Sequence, residues 1–359
     1  MTTKKMSLTP VLLALTSPES SFTTSDLKSS LEILFTTTVS DVQAAAFLTA
    51  LRLRAFDQDP AMIAAAVETM RRFALELDVD GAYVDVVGTG GDGKNTFNVS
   101  TTAGLVAAGM GIRVCKHGNR AATSSSGAAD VLISLGAQIS NVTPSTVSTV
   151  LGTSPFAFLF APVFHPLMAK VAPVRKLLGF PTLFNVLGPL LNPAPLSARV
   201  VGVNSRALGP IFARSIILLD RDETTKSNSM VVWGEEGLDE ISPAGPTMTW
   251  SVAPGSDVVV ERVIAPEDFG LRRHSLDTVA SGTPHENAQL LQRLVRGELA
   301  DNHPVLDYVL INASALAVVA GVARDYKHGV ELAKQSIMNG KAKAALEAFI
   351  QATQSYDKE

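Results

Sequence analysis

The chain has little of what disulfide-bonded or membrane-spanning proteins require. Its 359 residues include a single cysteine, Cys115, which excludes an internal disulfide and is typical of a reducing compartment. Because Cys115 ends an apolar run that reads as a strand, we expect a buried, inert thiol. No stretch approaches the roughly 18 apolar residues of a membrane helix, and Val11 to Leu15 is too short for a signal-peptide core. The sequence therefore predicts a cytoplasmic protein with no membrane partner.

Charge is also scarce. Charged residues make up 18% of the chain, the formal net charge is −4, and apolar residues make up 46%. A nucleic-acid backbone demands a basic protein face, so this balance argues against nucleic acid as a partner. The apolar content is ordinary for a globular chain and too high for a disordered one. Any phosphate-binding site must therefore be local.

The N-terminal segment, up to about residue 78, carries helical patterns only. Ser40 with Gln43 forms a capping-box pattern, and Asp59 with Pro60 is typical of an N-cap followed by the first helical residue. Apolar residues at helical spacing form the expected buried stripes: Leu27, Leu31, Leu34, Ile63, Val67 and Met70. These are packing residues, and they predict a separate all-helical domain.

From about residue 80, short β-branched runs alternate with helical segments, which predicts an α/β domain with a central sheet flanked by helices. The predicted strands are Val84 to Val87, Arg113 to Cys115, Phe156 to Phe160, Arg199 to Val203 and Met230 to Trp233. The predicted helices include Ala128 to Leu135, Pro166 to Leu178, Leu208 to Leu219 and most of residues 284 to 351, with Pro304 in a first turn. Residues 221–229 lack apolar side chains and are interpreted as an exposed loop.

The stretch GTGGDGKNTFNVST, which begins at Gly88 directly after a predicted strand, is compatible with three kinds of phosphate site. Its glycines fit the dinucleotide fingerprint, but no Asp or Glu occurs between Asp92 and Asp130 to hold a ribose. It also fits a P-loop, but Asn95 stands where a magnesium-binding Ser or Thr belongs. A loop with several polar anchors explains the most residues, namely Asp92, Thr96, Asn98, Ser100 and Thr101. A plain glycine turn explains the fewest.

A second polar stretch, KHGNRAATSSSGAAD, follows the next predicted strand. It is rich in hydrogen-bond donors, which suit a ligand with several anionic oxygens: Lys116, His117, Asn119, Arg120, Thr123, Ser124, Ser125 and Ser126. A solvated basic loop is the plainer interpretation. Because the carboxyl ends of neighbouring parallel strands meet at one edge of a sheet, we expect the two stretches to share a crevice.

Two further segments carry possible ligands. Arg175 ends Val-Ala-Pro-Val-Arg on a predicted helix and could pair with a carboxylate through two hydrogen bonds, whereas His165 before a proline is better explained as a space-filling residue. Asp239 and Glu240 lie in a short turn after a predicted strand. Adjacent carboxylates suit Mg²⁺, which uses few protein ligands.

In combination, GTGGDG…TFNVST, KHGNRA, VAPVRKLLG…NVLGPLLNPA and GLDEIS resemble the anthranilate phosphoribosyltransferases over nearly the whole chain. The resemblance implies transfer of a 5-phosphoribosyl group from 5-phosphoribosyl 1-diphosphate to the amine of anthranilate, with Mg²⁺ as cofactor. It also implies two domains, an N-terminal helical domain (1–78, with a return within about 166–190) and an α/β domain (79–165 and 191–359), and a homodimer formed through the helical domain. Nucleoside phosphorylases of the same fold superfamily are the alternative, and Arg175 discriminates against them.

The resemblance also implies residue roles. Lys116, Asp239 and Glu240 would be catalytic, with Ser100, Asp239 and Glu240 at the metal and Gly88, Asn119 and Arg175 at anthranilate. The phosphoribosyl diphosphate would be bound by Gly88, Gly91, Asp92, Thr96, Asn98, Val99, Ser100, Thr101, Lys116, His117, Gly118, Asn119, Arg120, Ala121, Ala122, Thr123, Ser124 and Ala128. Two positions depart from the family pattern: Ala128 stands where a serine is common, and Ser125 where a lysine is common. We therefore expect altered contacts to the 5-phosphate.

Overall fold

Four N-terminal helices form in the computed structural model, which describes residues 7–17, 21–121, 124–221 and 226–356. They are α1 (Thr9–Thr16), α2 (Thr24–Thr36), α3 (Asp41–Leu53) and α4 (Pro60–Arg72). Both predicted N-caps are present: the Ser40 hydroxyl accepts a hydrogen bond from Gln43 N–H, and the Asp59 carboxylate accepts from Ala61 and Met62 N–H. The capping box predicted at Ser40 is only half formed, because the Gln43 side chain donates to the Thr9 hydroxyl instead. The predicted apolar stripes are buried, and they pack into one hydrophobic cluster with Val171 and Leu183 from the middle of the chain and with residues of the α/β domain such as Phe212 and Trp250. The separate helical domain is confirmed.

Seven strands form one sheet in the order β3-β2-β1-β4-β5-β6-β7. They are β1 (Tyr83–Gly88), β2 (Val114–Gly118), β3 (Phe156–Phe160), β4 (Leu196–Gly202), β5 (Asn228–Gly234), β6 (Thr247–Val252) and β7 (Val259–Ile264). The five predicted strands are confirmed and are mutually parallel, whereas β6 and β7 pair antiparallel at one edge. The sequence analysis missed β6 and β7, although Met248, Trp250 and Val252 alternate with polar residues.

Helices cover both faces of the sheet. They are α5 (Val99–Gly109), α6 (Ala128–Ser134), α7 (Val147–Thr153), α8 (Ala161–Phe164), α9 (Ala172–Leu178), α10 (Leu183–Leu187), α11 (Leu208–Asp220), α12 (Pro284–Val295), α13 (Pro304–Val319), α14 (Tyr326–Met338) and α15 (Lys341–Gln354). The single helix predicted over Pro166 to Leu178 is wrong: a 3-10 helix, Pro166–Lys170, precedes α9. Pro173 lies in the first turn of α9, where a missing N–H leaves no hydrogen bond unmade.

The prediction that residues 221–229 form an exposed loop is wrong at the C-terminal end of that segment. Ser227 and Ser229 are fully buried, and β5 already begins at Asn228. The Ser227 hydroxyl donates to Asp220 and accepts from Arg199, 2.8 and 2.7 Å away. The Ser227 hydroxyl therefore solvates a buried ion pair between Arg199 and Asp220, and the Ser229 hydroxyl hydrogen bonds to that of Ser227. Residues 222–225 lie outside the described residues.

The strand order places a crevice at the carboxyl ends of β1 and β4. From β1 the chain turns to one side to build β2 and β3, then crosses back to place β4 on the other side of β1. Loops leaving the two neighbouring strands therefore diverge, and such switch points are where open α/β sheets bind ligands. Both polar stretches leave the sheet at this edge, as the sequence predicts. Within the described ranges, none of the helices combines the length and apolar character of a membrane span.

Candidate active site

Two paired glycines form the floor of the crevice. Gly88 ends β1 and Gly202 ends β4, and the two face each other in register. A Cβ on Gly202 would lie 1.6 Å from the backbone oxygen of Asp239, and one on Gly88 would lie 2.3 Å from the Asp239 carboxylate. Only glycine therefore allows Asp239 to rest on the strand ends. The sequence analysis selected Gly88 and missed Gly202.

The segment that carries Asp239 and Glu240 is a short hairpin after β5, here called the acidic hairpin (residues 234–242). It closes through a backbone bridge between Gly234 and Leu238. The Asp239 carboxylate accepts a 2.6 Å hydrogen bond from the backbone N–H of Gly90. This bond joins the acidic hairpin to the first polar stretch, so the structure brings together two motifs that are about 150 residues apart.

Burial raises the pKa of both hairpin carboxyls. The pKa of Asp239 rises to about 7, because the group is desolvated and lies near the Asp92 carboxylate. The pKa of Glu240 rises to about 8, again through desolvation, and through the charge of Asp239, while Lys116 and a hydrogen bond with Ser100 oppose the rise. A bound cation would neutralise this concentration of acidic groups, which has few neutralising partners in the protein.

The first polar stretch turns through left-handed backbone. Gly90, Gly91, Gly93 and Asn95 all have positive φ, between 48 and 74°. The Asn204 amide donates to Gly90 O at 2.8 Å and holds this turn over the end of β4. Asn204 therefore holds the turn in place against the end of β4, and the exposed backbone of the turn faces the crevice. Nothing in the sequence singled out Asn204.

The stretch continues into the N-terminus of α5. Asn98 precedes the helix, Val99 and Thr101 are buried within its first turn, and Ser100 lies beside Glu240. The Thr101 hydroxyl is buried without a hydrogen-bond partner among the described residues. Free N–H groups at the start of a helix attract anions. The α5 N-terminus therefore points the expected donors at the crevice.

Asn98 links the two polar stretches. Its amide donates to Ser126 O at 2.9 Å, and its carbonyl accepts from the Ser126 hydroxyl at 3.0 Å and from the Asn287 amide at 2.9 Å. Asn287, which is buried on α12, also donates to the Ser281 hydroxyl. The prediction that the two stretches share one crevice is borne out by these contacts, and Asn287 is a site residue that the sequence did not reveal.

The second polar stretch is closed by Asp130. Its carboxylate accepts from the N–H groups of Ala121 and Gly127 at 3.0 and 3.1 Å and lies 3.4 Å from the Arg120 guanidinium. Gly127 has no space for a side chain, since a Cβ would meet Ala121 N at 2.2 Å. Asn119, Arg120 and Ser124 are exposed, and Ala128 begins α6. The predicted residues Ala122 and Thr123 lie outside the described residues.

Lys116 lies beneath the crevice rather than in it. The side chain is buried, and its ammonium group donates to the backbone carbonyl of Val86 in β1. Burial lowers its pKa, while the carboxyls of Asp85, Glu240 and Asp239 oppose that shift. Lys116 therefore supplies positive charge to the acidic hairpin from inside the sheet. Direct contact between this ammonium group and the diphosphate, which the resemblance implies, stays a prediction.

His117 and His165 form a buried pair of imidazoles, edge to face, with ring centroids 5.1 Å apart. Burial lowers the pKa of His117 to about 3 and that of His165 to about 4, so both rings are neutral near pH 7. His165 Nε2 lies 3.0 Å from Leu191 O. His165 is therefore a buried packing residue, as the sequence analysis interpreted it.

Arg175 lies half-buried on α9, and its guanidinium carbon is 5.6 Å from the centroid of the Phe184 ring. One terminal nitrogen donates to the Asn185 side-chain oxygen at 3.2 Å, and Nε is buried without a partner among the described residues. No carboxylate of the described residues forms an ion pair with it. Its guanidinium retains the capacity to bind an anionic group.

Known families match both parts of the chain. Residues 10–74 match the model described as "Glycosyl transferase family, helical bundle domain", and residues 80–343 match "Glycosyl transferase family, a/b domain". The anthranilate phosphoribosyltransferase of Schizosaccharomyces pombe is 47% identical over 326 residues, covering 90% of each chain. That of Saccharomyces cerevisiae is 40% identical, covering 87% of this chain and 86% of its own.

Solved structures of anthranilate phosphoribosyltransferases also resemble this chain. The Saccharomyces cerevisiae enzyme "in complex with PRPP and Mg" matches with a TM-score of 0.90 and 37% identity, over 97% of this chain and 99% of that one. A complex of the same enzyme with 4-fluoroanthranilate matches with a TM-score of 0.87 and 36% identity, over 97% and 98% of the two chains. By sequence and fold alike, the chain belongs to the anthranilate phosphoribosyltransferase family.

Proposed function

We propose that the protein transfers the 5-phosphoribosyl group of 5-phosphoribosyl 1-diphosphate to the amine of anthranilate, releasing diphosphate. The observation that carries the proposal is the seating of Asp239 on the Gly88–Gly202 pair, directly below a glycine loop and a helix N-terminus. That arrangement joins an acidic cation site to a set of anion-binding N–H groups, which is what a magnesium diphosphate requires.

The donors converging on the acidic hairpin fit Mg²⁺. Asp239, Glu240 and the Ser100 hydroxyl supply oxygen atoms only, and the raised carboxyl pKa values show that burial and neighbouring carboxylates disfavour the ionised form, which a bound cation would stabilise. This small protein set suits an ion that keeps waters and phosphate oxygens as its remaining ligands.

When bound, Mg²⁺ would neutralise charge that develops on the leaving diphosphate. The chain's own residues do the rest. Backbone N–H groups from Gly91 to Gly93 and the α5 N-terminus orient the diphosphate, while the Gly90 N–H holds the Asp239 carboxylate and Lys116 stabilises the acidic hairpin electrostatically from below. The carbon–oxygen bond to diphosphate breaks, the ribosyl carbon gains oxocarbenium character, and the weakly basic aromatic amine forms the new carbon–nitrogen bond and loses its proton to solvent. Positioning and electrostatics suffice, without a strong base.

The phosphoribosyl diphosphate contacts that we propose are those of the two polar stretches: Gly88, Gly91, Asp92, Thr96, Asn98, Val99, Ser100, Thr101, His117, Gly118, Asn119, Arg120, Ala121, Ala122, Thr123, Ser124 and Ala128. Anthranilate would lie against Gly88, Asn119 and Arg175, with its carboxylate on the guanidinium. At the 5-phosphate end, Ala128 offers no hydroxyl. The Ser126 hydroxyl is engaged with Asn98 and the Ser125 hydroxyl with Asn95. The exposed Ser124 hydroxyl makes a longer bond, 3.3 Å to Ser126 O, which it would exchange for that phosphate.

We further propose a homodimer formed through the helical domain, residues 1–78 with the return at about 166–190. Four leucine and valine side chains on this part of the chain are largely exposed, between 68 and 83%: Leu13, Val42, Leu53 and Leu177. Apolar groups exposed on neighbouring helices α1, α3 and α9 favour burial against a second copy. The α/β domain would comprise 79–165 and 191–359. The buried free thiol of Cys115 supports a cytoplasmic location.

One assay tests the activity. Anthranilate fluorescence is followed after addition of 5-phosphoribosyl 1-diphosphate and Mg²⁺, with and without a chelator, and in parallel with a nucleoside plus inorganic phosphate. We expect fluorescence loss that requires both the donor and Mg²⁺, and no cleavage of the nucleoside. Cleavage of the nucleoside without consumption of anthranilate would instead establish a phosphorylase.

A further inference from the structure

Asn312, on α13, makes two hydrogen bonds to a single residue of the acidic hairpin. Its side-chain oxygen accepts from Ile241 N–H at 3.2 Å, and its side-chain nitrogen donates to Ile241 O at 3.1 Å. The same nitrogen donates to Tyr308 O at 3.0 Å, one turn earlier on α13. Asn312 and Ile241 are each 1% exposed. The amide therefore pairs with the hairpin as a neighbouring strand would.

Ile241 directly follows Glu240, so this contact fixes the backbone next to the carboxylate pair. The hairpin has a backbone bond to Gly234 before the pair, at Leu238, and a bond from Ser242 N–H to the Thr247 hydroxyl after it. Without the Asn312 bonds, Ile241 would have a buried N–H and a buried carbonyl facing an apolar helix surface. Tyr308 on the same helix reaches the Thr96 hydroxyl of the first polar stretch at 3.4 Å.

We propose that Asn312 is a positioning residue for the metal site: its side-chain amide holds the acidic hairpin at Ile241 and thereby sets the placement of Asp239 and Glu240. The inference rests on the proposed function, because it assigns the carboxylate pair to a divalent cation. Groups that orient metal ligands without touching the metal typically govern affinity by about 10- to 100-fold.

The test compares Asn312→Ala with Ser314→Ala. Ser314 is buried two residues along the same helix, and its hydroxyl donates to Tyr326 O, on α14, rather than to the acidic hairpin. Each variant removes one buried polar group from α13. If Asn312→Ala fails to accumulate as folded protein, Asn312→Ser is measured instead, since it leaves room for a water.

The main readout is binding of Mn²⁺ in the presence of diphosphate, followed by the electron paramagnetic resonance of free Mn²⁺, so that turnover is not needed. We expect affinity about 10-fold or more weaker in Asn312→Ala and within about 2-fold of wild type in Ser314→Ala. Hydrogen exchange at residues 238–242 should accelerate only in the Asn312 variant. In turnover, the Mg²⁺ concentration for half-maximal rate should rise similarly, with a smaller change in kcat at saturating Mg²⁺.

Unchanged Mn²⁺ affinity in a folded Asn312 variant would overturn the proposal, as would an equal loss in both variants. Failure of the proposed function is distinguishable: a wild-type chain that binds Mn²⁺ and diphosphate without consuming anthranilate contradicts the transferase assignment but leaves the positioning role measurable.

Discussion

A methyl group added at Gly202 should cripple the enzyme without contacting any substrate. The new Cβ would lie 1.6 Å from the Asp239 carbonyl oxygen and 2.3 Å from its carbonyl carbon, whereas non-bonded atoms need about 3.5 Å. Asp239 must therefore retreat by roughly 2 Å, and these are backbone atoms that cannot rotate away. Displacement of a reacting group by about 1 Å costs about 10²-fold in rate.

We therefore expect Gly202→Ala to lower kcat/KM by about 10²-fold or more, measured by anthranilate fluorescence. Overpacking of this kind destabilises by about 1–3 kcal/mol, which urea unfolding would report. Gly152→Ala is the matched control: Gly152 lies in α7, and its Cβ would meet nothing within 4 Å. The control should retain full activity. A Gly202→Ala enzyme with activity within about 3-fold of wild type would refute the claim that Asp239 must rest on the strand ends.

Three further outcomes follow from the site. Mg²⁺ affinity should increase from pH 6 to 8, because the carboxyls with pKa values near 7 and 8 bind a cation only when ionised; a flat calorimetric profile would contradict this. The free energy of unfolding should fall as pH drops from about 6.5 towards 4, by up to about 1.4 kcal/mol per pH unit for each buried imidazole. The reason is that histidines of the unfolded chain become protonated in this range, whereas His117 and His165 stay neutral in the folded protein. His165→Gln should reduce this pH dependence, measured by urea unfolding. Asn287→Ala should raise KM for the phosphoribosyl donor about 10-fold and change kcat less, because it releases Asn98 from α12; an equal fall in kcat with unchanged KM would point to a different role.

Periodicity and local chemistry were sufficient to predict much of the fold. The caps at Ser40 and Asp59 and the five parallel strands follow from short-range patterns, and the structure confirms them. The two antiparallel edge strands were missed, although β6 alternates in its sequence. Ser227 was misread because its partner, Arg199, lies 28 residues away in the chain and no local pattern reveals a buried ion pair.

The candidate site likewise contains residues that local sequence patterns indicate and residues that they do not. Gly88, Asp239 and Glu240 were selected as candidates because glycine loops and paired acids are dense local signals. Gly202, Asn204, Asn287 and Asn312 carry no such signal, since each acts through a contact to a distant segment. Lys116 was selected from the sequence, but its burial was not predicted. A lysine in a strand gives no indication that its ammonium group donates to the Val86 carbonyl inside the sheet.

The most direct test of the account is the stoichiometry of the reaction in wild type and in Asp239→Asn, which keeps the shape of the side chain and removes its charge. Anthranilate consumed and diphosphate released are measured together, with Mg²⁺ and then with excess chelator. We expect a one-to-one ratio in wild type that depends on Mg²⁺, and a rate lower by about 10²-fold or more in the variant. Mg²⁺-independent transfer, or near-normal turnover by Asp239→Asn, would contradict it.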